Sequence, residues 1–251
     1  MKADDGDQTL LRTENVVKVF RGLQALRGVT LTVRAGEIVG LIGPNGSGKT
    51  TLLNVISGVL APTSGRVFVG ARDATKLKAD RVTHLGVGRT FQNIRLFAHL
   101  SVRENVEIGA ISGRKGKGVG HTADVVALLA RFGLGHVADA PAHSLPYGDQ
   151  RRVEIARALA PRPDFLLLDE PAAGMNENES AELLEIILKV RAEYGCGVLI
   201  VEHDLRLIMS LCERIHVLAE GQTLAEGAPR EVRHNQQVID VFLGDAVIDA
   251  M

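Results

Sequence analysis

The chain has 251 residues, 45% of them apolar, which is enough to bury the core of one large α/β domain. Its 29 Lys and Arg nearly cancel its 30 Asp and Glu, so no overall positive charge calls for nucleic acid as a partner. The longest apolar runs, at 165–168 and 197–201, fall far short of the roughly 20 residues that span a bilayer. The opening Met1-Lys2-Ala3-Asp4-Asp5 is acidic and polar where a secretory signal is basic and then apolar, which places the chain in the cytoplasm. Cys196 and Cys212 lie in apolar patterns without metal-ligand spacing and read as reduced core thiols.

Residues 10–33 alternate as strands do, with Val29, Leu31 and Val33 on one face and a turn at Ala35-Gly36, so a small antiparallel layer is expected. Residues 37–42 form a continuous apolar run, the pattern of a strand buried on both faces of a parallel sheet. Directly after it, Gly43-Pro44-Asn45-Gly46-Ser47-Gly48-Lys49-Thr50-Thr51 fits the G-x-x-x-x-G-K-[ST] pattern and runs into a helix through Leu52, Leu53 and Ile56. Glycines let successive N–H groups curl toward a β-phosphate, and the helix N-terminus adds partial positive charge. Lys49 then neutralises β and γ oxygens, and Thr50 supplies a hydroxyl to Mg²⁺.

From about 93 to 150 the pattern changes to short helices without strand runs. Ser101 and Glu104 have capping-box spacing, and 122–131 carries Val125, Val126, Leu128 and Leu129 before Gly133. This reads as a helical subdomain inserted into the core. The run 113–118 is glycine-rich and basic, a solvated loop or alternatively a contact for lipid headgroups or a partner.

Buried-strand runs recur at 165–168, 198–201 and 215–218, with helical patterns between them. The clearest helix puts Leu183, Leu184, Ile187 and Val190 on one stripe, opens at Asn176 with Glu179 and stops at Gly195. Strand, helix and strand alternate, which predicts a doubly wound α/β core. Leu168-Asp169-Glu170 puts two carboxylates at the carboxyl end of the sheet, where such folds bind ligands. Adjacent carboxylates repel unless a cation sits between them, so Asp169 is assigned to Mg²⁺ and Glu170 to the attacking water. The next strand ends in Glu202-His203-Asp204, where His203 can hydrogen-bond a departing γ-phosphate; taken alone it reads equally as a capping or surface histidine.

These residues together resemble the ATP-binding cassettes of ABC transporters, over about residues 10–245. The resemblance rests on the phosphate loop, Gln92 in Arg89-Thr90-Phe91-Gln92-Asn93, the signature-like Leu145-Pro146-Tyr147-Gly148-Asp149-Gln150-Arg151-Arg152, the carboxylate pair and His203. It implies an α/β P-loop NTPase core with a mostly parallel sheet, an N-terminal antiparallel β subdomain and an inserted helical subdomain. One ATPase domain would span 9–245, its core at about 9–92 and 151–245 and its helical subdomain at about 93–150. It further implies ATP and Mg²⁺ as ligands, with Gln92 touching Mg²⁺ and the attacking water while sensing a membrane subunit. Phe20 would stack on adenine, although an aromatic after Val16, Val17 and Val19 also reads as core. Tyr147, Gly148, Asp149 and Gln150 would face the γ-phosphate held by a second ATPase subunit, because each chain carries one copy of each motif. Two departures stand out: Pro146 replaces the usual serine, and Asn176 stands where many relatives have aspartate.

The signature variant Tyr147-Gly148, the segment Pro171-Ala172-Ala173-Gly174 and the tail 225–244 are similar to the ATPase subunits of branched-chain amino acid importers. Such a subunit lies on the inner face of the cell membrane, bound to permease subunits and indirectly to a periplasmic or extracellular solute-binding protein. Urea or amide importers and a lipopolysaccharide exporter are the alternatives. A soluble ABC ATPase acting on DNA or ribosomes would carry two cassettes or a long coiled-coil insertion, and neither pattern is present.

Overall fold

The computed structural model describes residues 10–112 and 122–243; the basic run 113–118 lies outside them. A hairpin of β1 (Leu10–Phe20) and β2 (Leu23–Arg34) opens the chain, with Val29, Leu31 and Val33 buried as the alternation predicts. β3 (Ile38–Ile42) is buried along its whole length and feeds the phosphate loop into α1 (Lys49–Ile56). Then come β4 (Ser64–Val69), β5 (Arg72–Asp73), α2 (Ala79–His84) and β6 (Val87–Arg89). Three helices come next, α3 (Val102–Ile111), α4 (Thr122–Arg131) and α5 (Tyr147–Leu159). The chain continues through β7 (Phe165–Asp169), α6 (Glu177–Tyr194), β8 (Gly197–Val201) and α7 (Leu205–Leu211). It closes with β9 (Arg214–Ala219), β10 (Gln222–Gly227), α8 (Pro229–Arg233) and α9 (Gln236–Leu243).

Two sheets result. The antiparallel one has the order β2-β1-β4-β5, and the second has the order β10-β9-β3-β8-β7-β6 with only β10 antiparallel. Side chains of the parallel strands alternate between two cores with the period of two that pleating imposes. Ile38, Ile42, Leu166, Leu168, Val198 and Ile200 join Val153, Ala156 and Leu183 of the helices. Val39, Leu41, Leu167, Leu199 and Val201 instead join Leu52, Leu53 and Ile56 of α1 and the inner face of the antiparallel sheet. A strand buried on both faces needs apolar residues at every position, which is why these segments read as continuous runs. Each such side chain contributes about 1.5–3 kcal/mol through burial.

Local sequence sets the helix ends. At α3 the Ser101 hydroxyl accepts from the Glu104 amide at 3.2 Å, while Glu104 accepts from the Ser101 amide at 2.7 Å. Asn176 and Glu179 do the same for α6, and Gly195 ends that helix at φ 63. The helix of the signature segment starts earlier than its apolar stripe suggests. It begins at Tyr147 with Pro146 as N-cap, so Gly148 lies inside the first turn and the helix runs through the division expected near 150. Proline's fixed φ, here −53, suits that start.

Cys196 and Cys212 are buried and unbridged, and burial pushes their thiols up to about 11 and about 12. At pH 8 the native protein is therefore expected to show no thiol reactive to Ellman's reagent, and two in guanidinium. A fast-reacting thiol in the native state would contradict this packing.

Candidate functional site

Parallel register brings the site together. Leu41 of β3 pairs with Val201 of β8, and Val201 pairs with Asp169 of β7. The three strands therefore finish flush, and Gly43, His203 and Glu170 lie one or two residues beyond their paired positions. A cleft of about 530 Å³ opens there, walled by Gly43, Pro44, Asn45, Glu202, His203 and Phe242.

The loop after β3 is tightly held. Gly43 sits at φ 151 and Gly48 at φ 107, and a Cβ on Gly48 would lie 2.7 Å from the Ala25 carbonyl oxygen. Main-chain bonds fix the curl: the Ser47 amide donates to Pro44 at 3.2 Å, and the Gly221 amide donates to Ser47 at 3.0 Å. Lys49 is 7% exposed and reaches back over the loop, its Nζ donating to the carbonyls of Gly43 at 2.7 Å and Pro44 at 2.9 Å. Burial pulls its ammonium below the usual lysine range, opposed by the nearby Glu170 and Asp169. Thr50 is exposed at the helix start and Thr51 is half-buried beside it.

Asp169 ends β7 with its two oxygens in different situations. Oδ2 faces Arg89 Nη2 at 3.4 Å, whereas Oδ1 is buried without a hydrogen-bond partner. The Ser47 hydroxyl is likewise buried and unpartnered. Burial pushes the Asp169 carboxyl above its usual range, with Arg89 working against it; burial pulls Arg89 down to about 10, with Asp169 working against that. A free carboxylate oxygen and hydroxyls at one end of a phosphate loop are hard oxygen donors, the set that Mg²⁺ takes together with phosphates.

Glu170, one residue beyond the strand, has φ 50, a left-handed backbone that is uncommon outside glycine. Its amide donates to Val201 at 2.9 Å. Its carboxylate is bracketed, Gln92 Nε2 donating to Oε2 at 3.0 Å and His203 Nε2 lying 2.6 Å from Oε1. A carboxylate only accepts, so His203 carries its proton on Nε2 here. Glu202 braces the same corner, accepting from the Ala172 amide at 2.7 Å.

The remaining candidates lie elsewhere. Tyr147 packs its ring on Gly174, and Gly148 faces Glu179 and Met175. Gln150 donates to the Leu145 carbonyl at 2.8 Å, and Asp149 is half-buried in the same first turn. The signature end thus stands beside the segment that succeeds the carboxylates rather than in the phosphate cradle. Phe20 ends β1, is 39% exposed and has Lys18 Nζ at 5.1 Å from its ring, so the alternative of a core aromatic is set aside. In the sequence, Arg89 is visible only as part of a motif. Its role beside Asp169 arises from the pairing of β6 with β7, which no local pattern announces.

A glycine-rich curl between a parallel strand and a helix, with carboxylates on the neighbouring strand end, defines a P-loop nucleoside triphosphatase. Residues 26–173 match the family model for the ABC transporter, and residues 222–248 match that for the branched-chain amino acid ATP-binding cassette transporter. The high-affinity branched-chain amino acid transport ATP-binding protein LivG of Salmonella typhimurium is 41% identical, over 95% of this chain and 99% of its own length. The lipopolysaccharide export system ATP-binding protein LptB of Escherichia coli is 36% identical over 94% and 97%. The solved ADP conformation of an ATP-binding cassette of an ABC transporter superposes with a TM-score of 0.84 at 33% identity, covering 94% of this chain and 99% of that one. The chain belongs to the ATP-binding cassettes of ABC transporters, and it is an ATP hydrolase.

Gly43→Ala is expected to remove ATP binding, because a Cβ there collides with the Leu218 carbonyl and the Ser47 hydroxyl. Titration with a fluorescent ATP analogue measures this. Wild-type affinity in the variant would show that the loop does not need its tight seat.

Proposed function

We propose that this chain is the ATPase subunit that powers import of branched-chain amino acids through separate permease subunits on the inner face of the cell membrane. Its domain spans 9–245, with the core at about 9–92 and 151–245 and the helical part at about 93–150. The observation that carries the hydrolytic half is Glu170, held between Gln92 and His203 on the strand end that faces the phosphate loop. The transport half is supported by the LivG likeness and by the match of 222–248 to the branched-chain cassette model. No described helix is long and apolar enough to cross a membrane, in keeping with a channel formed by other chains.

The residues dictate the chemistry. The amides of 45–50 and the positive end of α1 bind the β-phosphate, and Lys49 exchanges its bonds to Gly43 and Pro44 for β and γ oxygens. Thr50, Gln92 and the free Oδ1 of Asp169 would hold Mg²⁺, whose charge offsets that of the phosphates. Glu170 accepts the proton of the attacking water, and Gln92 orients that water. His203, with a proton on Nε2, leaves Glu170 to donate to the departing γ-phosphate. Phe20 stacks on adenine from the hairpin end. The first turn of α5 in a second ATPase subunit, with Tyr147, Gly148, Asp149 and Gln150, closes the other side of the nucleotide through its free amides. The second subunit is another copy or a paralogue, and a solute-binding protein delivers cargo to the permeases.

The lipopolysaccharide-export reading is favoured by the LptB likeness alone, at lower identity than LivG. Deleting the gene separates the two. Loss of labelled leucine uptake with an intact outer surface supports import, whereas normal uptake with a defective surface overturns it. Within the cassette, Glu170→Gln is expected to keep ATP binding and cut turnover by about 10² to 10⁴, the worth of a positioned general base. Unchanged turnover would remove Glu170 from that role.

A further inference from the structure

Arg151, in the second turn of α5, is the bulkiest fully buried side chain among the described residues, at 0% exposure. None of the catalytic or binding roles assigned to the site uses it. A buried guanidinium is costly unless its donors are met, and a well-packed apolar residue would fill the same space at lower cost. What Arg151 bonds is therefore informative. Nη1 donates to the Phe91 carbonyl at 2.6 Å and to Glu154 Oε2 at 2.7 Å; Nη2 donates to the Gln92 carbonyl at 2.7 Å and to the Tyr147 hydroxyl at 3.2 Å.

Two successive carbonyls gripped by one planar fork fix the peptide planes on both sides of Gln92, and with them the direction in which its side chain leaves the backbone. That side chain is the one that reaches Glu170 at 3.0 Å. The grip is extended along the segment. Glu154, itself buried, accepts from the Arg95 amide at 3.1 Å, and Arg89 and Arg95 flank the Phe91 ring at 4.8 and 4.0 Å. At its other end the cluster reaches the signature turn, because the Tyr147 hydroxyl bonded to Arg151 belongs to a ring packed on Gly174.

We infer that Arg151 is a positioning residue for hydrolysis: it ties the backbone of Gln92 to the signature helix, so that Gln92 engages Glu170 only when that helix is seated. The inference rests on the proposed ATPase chemistry. An α-helix moves as a rigid body, and any shift of the turn that carries Tyr147 shifts Arg151 and hence the Phe91 and Gln92 carbonyls. One chain's signature end is thereby coupled to that chain's own catalytic carboxylate.

Steady-state ATPase assays on the full chain with Arg151→Lys, Gln92→Ala and the double variant test this. Lysine keeps a positive charge beside Glu154 but lacks the planar fork that meets both carbonyls, Glu154 and the Tyr147 hydroxyl at once. Arg151→Lys is expected to lower kcat about 10- to 100-fold, the scale of a misplaced positioning group, with the KM for ATP unchanged. In the Gln92→Ala background the same change is expected to alter kcat less than about twofold, because the two residues act as one unit. Losses that multiply, an unchanged kcat in Arg151→Lys, or a loss confined to KM would each overturn the inference. If Arg151→Lys does not fold, the neutral pair Arg151→Gln with Glu154→Gln, which buries no unmatched charge, takes its place under the same criteria. A wild-type chain that hydrolyses no ATP would instead sink the functional reading itself.

Discussion

Everything at this site depends on three parallel strands stopping on one line. The register Leu41, Val201, Asp169 leaves no freedom in where the next residue of each strand falls. Hydrogen-bonded strands lie about 4.8 Å apart, so a glycine-rich curl, a histidine and a carboxylate arrive side by side without any loop having to search for them. Covalent continuity does the rest. The amides of the curl succeed β3 directly, and Glu170 succeeds Asp169 directly, its left-handed backbone turning the carboxylate toward Gln92 and His203.

Charge is the second constraint, met by ion pairs at Asp169 and Glu154 and by neutral partners at Lys49. Lys49, Arg89 and Arg151 are buried cations, and Asp169, Glu170 and Glu154 are buried anions. Each of these ions alone would cost several kcal/mol in the interior. Arg89 neutralises one oxygen of Asp169 and leaves the other free, so the site keeps acceptor capacity without carrying two uncompensated carboxylates side by side. Lys49 is met by carbonyls of its own loop, neutral partners that leave its charge uncancelled. Glu154 is matched by Arg151 yet still pushed up by burial, as Asp169 is beside Arg89.

Much of this was legible in the chain because the site is built from contiguous motifs at element ends. The phosphate loop, the run into Asp169-Glu170 and the caps at Ser101 and Asn176 are local signals, and local chemistry makes them. β6 was not legible. It has three residues, too few for any period, and its Gly88 is required because a Cβ would lie 2.6 Å from the Ala158 carbonyl of a distant helix. β4 and β5 escaped for a related reason: Ser64 and Arg66 are exposed on either side of Gly65, which leaves only Val67 to Val69 as an apolar run, and β5 is two exposed residues. The same distance in sequence hid Arg89 and Arg151, whose partners are set by sheet order and by the packing of α5 over the segment after β6. An arginine in a helix reads as a solvated face until the tertiary structure buries it.

The two departures in the motifs acquire physical meaning from these neighbours. Pro146 has neither an amide hydrogen nor a hydroxyl, and as the N-cap of α5 it satisfies no donor of the first turn by side chain. The Gln150 amide is used within the helix, donating to the Pro146 carbonyl at 3.0 Å, so the amides before it are what the turn can offer an anion. Gly148 keeps that approach open on one side, but the Glu179 carboxylate lies along the other, where it also completes the cap of α6 with Asn176. An acid placed there opposes a phosphate by direct repulsion, whereas the helix end attracts it. The Glu179 carboxylate is held there by the main-chain amide of residue 176, and the Asn176 side-chain oxygen accepts from the Glu179 amide in return. A neutral residue at 176 closes this cap without adding a second negative charge beside that of Glu179.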